Sequence, residues 1–340
     1  MEYFRDRFIT ELNNEGDIEV AGQIWTRHQV LETMDSNAER AVFDDWVSEQ
    51  KLGAKERCRS FLEEYGCLDR FNAMLARHRG GYVLPFVGAG MSVPSGCRPW
   101  GQFLLSLMND APAQIEQVKA LLQDSAYEEA AQLVFEALGD GILAEEISAQ
   151  LGNHDNRLDG PVRLLPNLFR EEVLTTNFDY VLTRAYQTAD HSFTREFKGK
   201  ELREVTQRMA NDPHCLLRLH GEADSVDARV LTLAEYQEAY GDNASLKGLL
   251  ASLVGVRSFL FLGCSLSTDR TFSALREIRD EVGVGAVRHY AFLPFPGEDE
   301  RNARRIELGQ AEIHPIYYPP EGHDPHIEDL LITMMEGGFA

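Results

Sequence analysis

At 340 residues the chain is long enough for about two domains, or for one large α/β domain with additions, and its 44% apolar and 26% charged residues make a globular balance. Asp and Glu number 55 against 33 Lys and Arg; the net charge of −22 argues against broad contact with nucleic acid or an anionic membrane surface, while a local pocket for an anionic small molecule is compatible with it. No run reaches the roughly 20 apolar residues of a membrane span. The charged start, Met-Glu-Tyr-Phe-Arg-Asp-Arg, lacks the apolar stretch of a signal peptide, and the five cysteines (58, 67, 97, 215, 264) form no Cys-x-x-Cys pair. These features lead us to expect a cytoplasmic protein with reduced thiols and no zinc site.

Residues 1–80 read as a polar helical region, with Phe61-Leu62, Leu68, Phe71 and Met74-Leu75 on one face. From Tyr82 a βα alternation begins. The apolar run Tyr82 to Val87 reads as a buried strand of a parallel sheet and enters Gly88-Ala89-Gly90-Met91-Ser92, with a helix-like run from Trp100 to Met108 beyond it. Glycines let a backbone approach an anion, and helix starts offer free N–H groups to it, so this stretch is a candidate pyrophosphate cradle. Two other phosphate-binding motifs are absent. The dinucleotide fingerprint requires a glycine where Val93 stands, and no Gly-Lys-Ser/Thr occurs.

Only helical patterning follows up to Phe169, which predicts a helical insertion over about 101–170. Further strands are expected at 172–175, 214–219, 258–262, 288–293 and 312–318, and helices at 178–188, 233–240, 245–254, 269–282 and 299–308. The pattern predicts an α/β, Rossmann-like doubly wound parallel sheet with that insertion and an N-terminal helical region. The expected division is 1–80, 81–300 and a C-terminal segment 301–340 packing on the core. In such sheets ligands bind at the carboxyl ends of the strands, where the strand order reverses.

Four expected strands end in unusual sequences: Gly88-Ala89-Gly90-Met91-Ser92, Thr175-Thr176-Asn177-Phe178-Asp179, His220-Gly221, and Gly263-Cys264-Ser265-Leu266 with Asp269. In this order they resemble the sirtuin family, with Thr176 where that family has glutamine and Cys264 where threonine is common. The resemblance covers about residues 80–295. It is better to the divergent, mostly prokaryotic sirtuin-like group than to the protein deacylases. The four-cysteine zinc module of the deacylases is missing after His220, and Cys97-Arg98-Pro99-Trp100 replaces their Ile-Pro-Asp-Phe-Arg. The segment Val230 to Tyr236 also looks like the divergent group.

The resemblance implies NAD as substrate, no zinc, and cleavage of the nicotinamide–ribose bond with water as the acceptor. It implies that Asn177 holds the ribose and a water, that His220 is a general base acting on a ribose hydroxyl or that water, and that Asp179 meets the nicotinamide carboxamide; the unperturbed pKa of a histidine is close to the operating pH. Gly88, Ala89, Gly90 and Ser92 would hold the pyrophosphate, with Thr176 in the same pocket. Gly263 and Ser265 would flank the adenosine, and Asp269 recurs in the group without an assigned role. Members of the group act in anti-phage defence, so a homo-oligomer and a partner such as a HerA-type ATPase or another infection sensor are expected.

Other readings stand beside these. Asn177, Asp179, Ser265 and Asp269 suit helix caps. Trp100 and Phe178 suit packing, and Arg98 a solvated position. A zinc-free deacylase or ADP-ribosyltransferase keeps NAD cleavage with another acceptor, and a sensor module binds NAD or ADP-ribose without turnover.

Overall fold

The computed structural model describes residues 2–109, 111–124, 126–152, 155, 157–199, 202, 214–241, 244–266 and 270–339. Its N-terminal part contains α1 (Glu2–Asn14), α2 (Arg27–Met34), α3 (Ser36–Glu64) and α4 (Leu68–Arg79). Each start has a physical cause. Thr26 and Gln29 form a reciprocal capping box on α2, and the Asp35 carboxylate accepts the Asn37 and Ala38 N–H groups of α3. Gly66, at φ +61°, breaks the expected continuous helical stretch into α3 and α4.

The region is not wholly helical. Ala21 and Gly22, both at positive φ, turn the chain between β1 (Ile18–Val20) and β2 (Gln23–Trp25), a small antiparallel hairpin.

The main sheet has seven parallel strands, β3 (Val83–Val87), β4 (Val173–Thr175), β5 (Arg195–Lys198), β6 (Cys215–Arg218), β7 (Ser258–Leu262), β8 (His289–Pro294) and β9 (Ile313–Tyr318), in the order β5-β6-β4-β3-β7-β8-β9. The fold class is the one expected. Every residue of β3, β4, β6 and β7 is buried, as befits parallel strands covered on both faces. Chain order reverses at β3, which lies between β4 and β7.

Between β3 and β4 run α5 (Trp100–Leu107), α6 (Ile115–Gln123), α7 (Tyr127–Leu138), α8 (Asp140–Leu151) and the short α9 (Leu165–Leu168). This insertion has a core of its own, built from Phe103, Leu104, Val118, Val134, Leu143 and Ile147, which closes on Phe178 and Leu231 near the strand ends. At about 1.5–3 kcal/mol per fully buried large apolar side chain, that contact seats the insertion firmly over the sheet edge.

The remaining helices are α10 (Val181–Thr188), α11 (Leu233–Tyr240), α12 (Ala244–Val254), α13 (Arg270–Val282), α14 (Glu298–Gly309) and α15 (His323–Met335). The Arg57 guanidinium forks onto Asp329 at 2.9 and 2.7 Å, and Arg7 meets Glu328 at 2.8 Å, so α1 and α3 are tied to α15. No helix among the described residues is long and apolar enough to cross a membrane.

Candidate functional site

The parallel register sets the site. Val87 pairs with Thr175 and with Leu262, and Thr175 pairs with Arg218, so these four residues form one level row across β3, β4, β6 and β7. The expected blocks begin at or just past that row, and Asn177 and His220 both stand two residues beyond it. Above it opens a cleft of about 720 Å³, a size suited to a cofactor-sized ligand. Gly88, Ala89, Gly90, Thr176, Asn177, Asp179, His220, Gly263 and Ser265 all line it. The insertion supplies the facing wall, where Trp100 stacks on Phe103 at 5.2 Å and lies 5.4 Å from Phe178.

One expected residue is placed differently. Ser92 is 1% exposed and sits beneath the glycine turn instead of lining the cleft. Asp269 lies outside the described residues.

The glycines serve the approach of two loops. A Cβ on Gly88 would stand 2.6 Å from the Gly263 carbonyl oxygen, and one on Gly90 would stand 2.9 Å from Gly263 Cα. Gly263, at φ +66°, has Met91 N in the same position at 2.5 Å. The Gly90 N–H donates to the Gly263 carbonyl at 3.0 Å, so this donor of the expected anion cradle is spent within the protein. Residues 89–95 form a 3-10 turn, and α5 begins later, at Trp100.

Asn177 is held from several sides. Its N–H donates to Thr175 Oγ1 at 3.0 Å, and its Nδ2 donates to Ser92 Oγ at 3.1 Å. The Ser92 hydroxyl donates to Asp179 Oδ1 at 3.0 Å, and the same oxygen accepts the Val181 N–H at 3.0 Å. Asp179 thus accepts the first N–H of α10 from one residue ahead of the N-cap position, Tyr180. Burial raises the Asp179 pKa against the opposing pull of these donors and of Arg218. Asn177 Oδ1 is buried with no protein partner among the described residues, an acceptor set at the cleft floor.

Arg218 fixes this loop from below. It is fully buried, and its Nη1 donates to the carbonyls of Asn177 at 3.2 Å and Asp179 at 2.9 Å. Its charge is met by Glu196 at 2.8 Å, and Thr183 Oγ1 accepts from Nη2 at 2.8 Å. The fork of donors on one planar group explains why arginine stands here.

His220 keeps part of its ring open to the cleft, yet its surroundings desolvate it and lower its pKa to about 4, against a weaker opposing hydrogen bond to the Thr176 backbone. Burial thus moves the ring well below its unperturbed value and leaves it uncharged at physiological pH. Its Nε2 lies 2.5 Å from the Tyr236 hydroxyl.

Sequence reasoning missed Arg218 and the role of Tyr236. The signal for the latter was the spacing of Tyr236 and Tyr240, four apart on one helix face. A further wall residue, Arg270, pairs with Glu128 of the insertion at 2.6 Å and lies 5.0 Å over the Tyr236 ring. Arg98 is exposed in the cleft wall, 3.4 Å from Gln150, and Cys264 Sγ contacts the Phe86 and Leu262 carbonyls at 3.6 Å. Among the described residues no group of three or more His, Cys, Asp or Glu is placed to hold a metal ion.

Comparison with known proteins places a SIR2-like domain over residues 171–316, which takes in the Thr176–Asp179, His220 and Gly263–Ser265 blocks. Relatives include the NAD(+) hydrolase ThsA of Enterococcus faecium, 23% identical over 213 residues, covering 61% of this chain and 42% of the relative. ThsA of Acinetobacter baumannii is 24% identical over 219 residues, covering 61% and 41%. ThsA of Cytobacillus dafuensis is 26% identical over 233 residues, covering 67% and 44%. The match thus spans less than half the length of these relatives.

Proposed function

We propose that the chain is a divergent member of the SIR2-like family, whose domain matches residues 171–316, and that it is an NAD glycohydrolase releasing nicotinamide and ADP-ribose. The observation that carries this reading is the pairing of Asn177, with its unpartnered Oδ1, and His220 at equal height on the floor of a cofactor-sized cleft. The names of the ThsA relatives support the same activity.

The bond from ribose C1′ to nicotinamide breaks readily, because the pyridinium leaves as a neutral molecule and the transition state is a ribosyl cation. The protein must therefore position an acceptor water, stabilise positive charge and remove a proton. Asn177 Oδ1 faces the ribose and accepts from its hydroxyl or from the water. His220 is neutral and ready to take a proton. Asp179 places a buried carboxylate near the nicotinamide end; since its Oδ1 serves Ser92 and Val181, the carboxamide contact falls to the other oxygen. The turn 88–90 carries the pyrophosphate, Thr176 lines the same pocket, and Gly263 and Ser265 flank the adenosine side. Asp269 is retained as a candidate on the resemblance alone. Ser92 acts as a bridge that positions Asn177 and Asp179.

The family resemblance extends the proposal to a defence effector that works as a homo-oligomer with an infection-sensing partner. The test is nicotinamide release from NAD by the purified chain, beside His220→Ala and Asn177→Ala. Both variants are expected to keep the fold and lose turnover; unchanged release in both would overturn the assignment.

A further inference from the structure

The hydroxyls of Tyr236 and Tyr240 reach two successive residues of the loop after β6. Tyr240 donates to the Leu219 carbonyl at 2.5 Å, and Tyr236 meets His220 Nε2 at 2.5 Å. The two tyrosines are four apart on α11, so one helix face clamps the loop that carries the base. The helix is itself fastened. Glu235 closes a capping box with Thr232 and accepts from the buried Arg229, which also reaches Asp140 of the insertion at 2.7 Å. The Tyr236 hydroxyl is thus held in place by the fold, and Tyr236 lines the cleft.

The Thr176 backbone favours the protonated His220 ring, against the burial that lowers its pKa. In the tautomer with its proton on Nδ1, the lone pair of the base lies on Nε2, where the Tyr236 hydroxyl already sits. The base then has no nitrogen left to meet a substrate directly.

The geometry points to Tyr236 as the link between His220 and the reacting water: its hydroxyl holds the Nε2 lone pair of His220 and relays the proton. This rests on the hydrolase reading above. As the water oxygen attacks C1′, its proton passes to Tyr236 Oη while the Tyr236 proton passes to His220 Nε2. The C1′–N electron pair leaves with nicotinamide, and the imidazolium later returns its proton to solvent. Arg270, with its guanidinium over the Tyr236 ring, favours negative charge gathering on the phenol oxygen during the transfer.

Tyr236→Phe tests this, since it keeps the ring packing and removes one oxygen. Ring-nitrogen NMR of labelled histidine, with His220 assigned from His220→Ala, is expected to show the Nε2 resonance moving in Tyr236→Phe. An unmoved resonance overturns the pairing whatever the activity. By calorimetry the variant is expected to bind NAD within about threefold of the native chain while releasing nicotinamide about 100-fold more slowly, the scale of a lost proton-transfer group. The solvent-isotope dependence is expected to change from curved, for two protons in flight, to linear. Release at or above the native rate with NAD bound overturns the relay. A native chain that does not turn over NAD defeats the hydrolase reading and the relay with it, so the native rate separates the two failures.

Discussion

Asn177 and His220 stand the same two residues past Thr175 and Arg218, which are paired across β4 and β6. Parallel strands in register deliver their loops at equal height, so both side chains line the floor of the same cleft. The underlying bonds keep them there: Arg218 holds the Asn177 and Asp179 carbonyls from beneath, and Ser92 bridges the two side chains.

The depressed His220 pKa predicts the acid limb of activity. A base that protonates near 4 stays competent well below pH 6.5, so kcat/KM for nicotinamide release is expected to hold down to about pH 5 and fall as pH approaches 4. The check is a pH–rate profile with the fold followed in parallel by circular dichroism. An acid limb centred near 6.5 would show that the ring is not desolvated.

His289 gives a second pH prediction, this one for stability. It is buried in β8, its Nδ1 accepts the Phe259 N–H at 3.0 Å, and burial holds its pKa at about 3 against 6.5 when unfolded. Below about 6.5 the unfolded chain takes up a proton that the folded chain refuses until about 3, so stability falls with pH across that window. His220 acts in the same direction. The expected result is a lower urea midpoint at pH 4.5 than at pH 7. In His289→Leu the slope is expected to flatten, with a loss of about 1–3 kcal/mol at pH 7 from the orphaned Phe259 N–H.

Ser92→Ala is expected to lower stability by about 1–3 kcal/mol, because it leaves the buried Asn177 Nδ2 without its acceptor and takes from Asp179 Oδ1 one of its two donors. Since Ser92 does not line the cleft, kcat should fall more than the affinity for NAD. Thermal melting and calorimetric titration measure the two effects, and a variant that loses binding while keeping its melting point would place Ser92 on the ligand instead.

Much of this arrangement is legible from the amino-acid order, for reasons that also mark its limits. Buried parallel strands such as Val83–Val87 and Ser258–Leu262 are short apolar runs and stand out. The strand Arg195–Lys198, Arg-Glu-Phe-Lys, carries three charged residues on an outer edge of the sheet and reads as loop. The hairpin 18–25 escapes because each of its strands has three residues, too short a run for alternation to stand out. Within the site, the four strand ends announce themselves by their order. The partnership of His220 with Tyr236 depends on a helix folding back over the loop, and the desolvation of His220 depends on everything packed around it. Neither is a property of any local stretch.

Gly88→Ala and Gly263→Ala are each expected to destabilise the chain by about 1–3 kcal/mol, the usual cost of overpacking, and to weaken NAD binding by prising the two loops apart. Melting curves and calorimetry check both. The atoms that obstruct a new methyl group include the Gly263 carbonyl and the Met91 nitrogen, which are main chain. Trimming a neighbouring side chain therefore gives no relief. A genetic screen for second-site suppressors of these alanines should return revertants to glycine and few compensating changes elsewhere, so the crossing of the two loops is a place where the sequence has almost no detours.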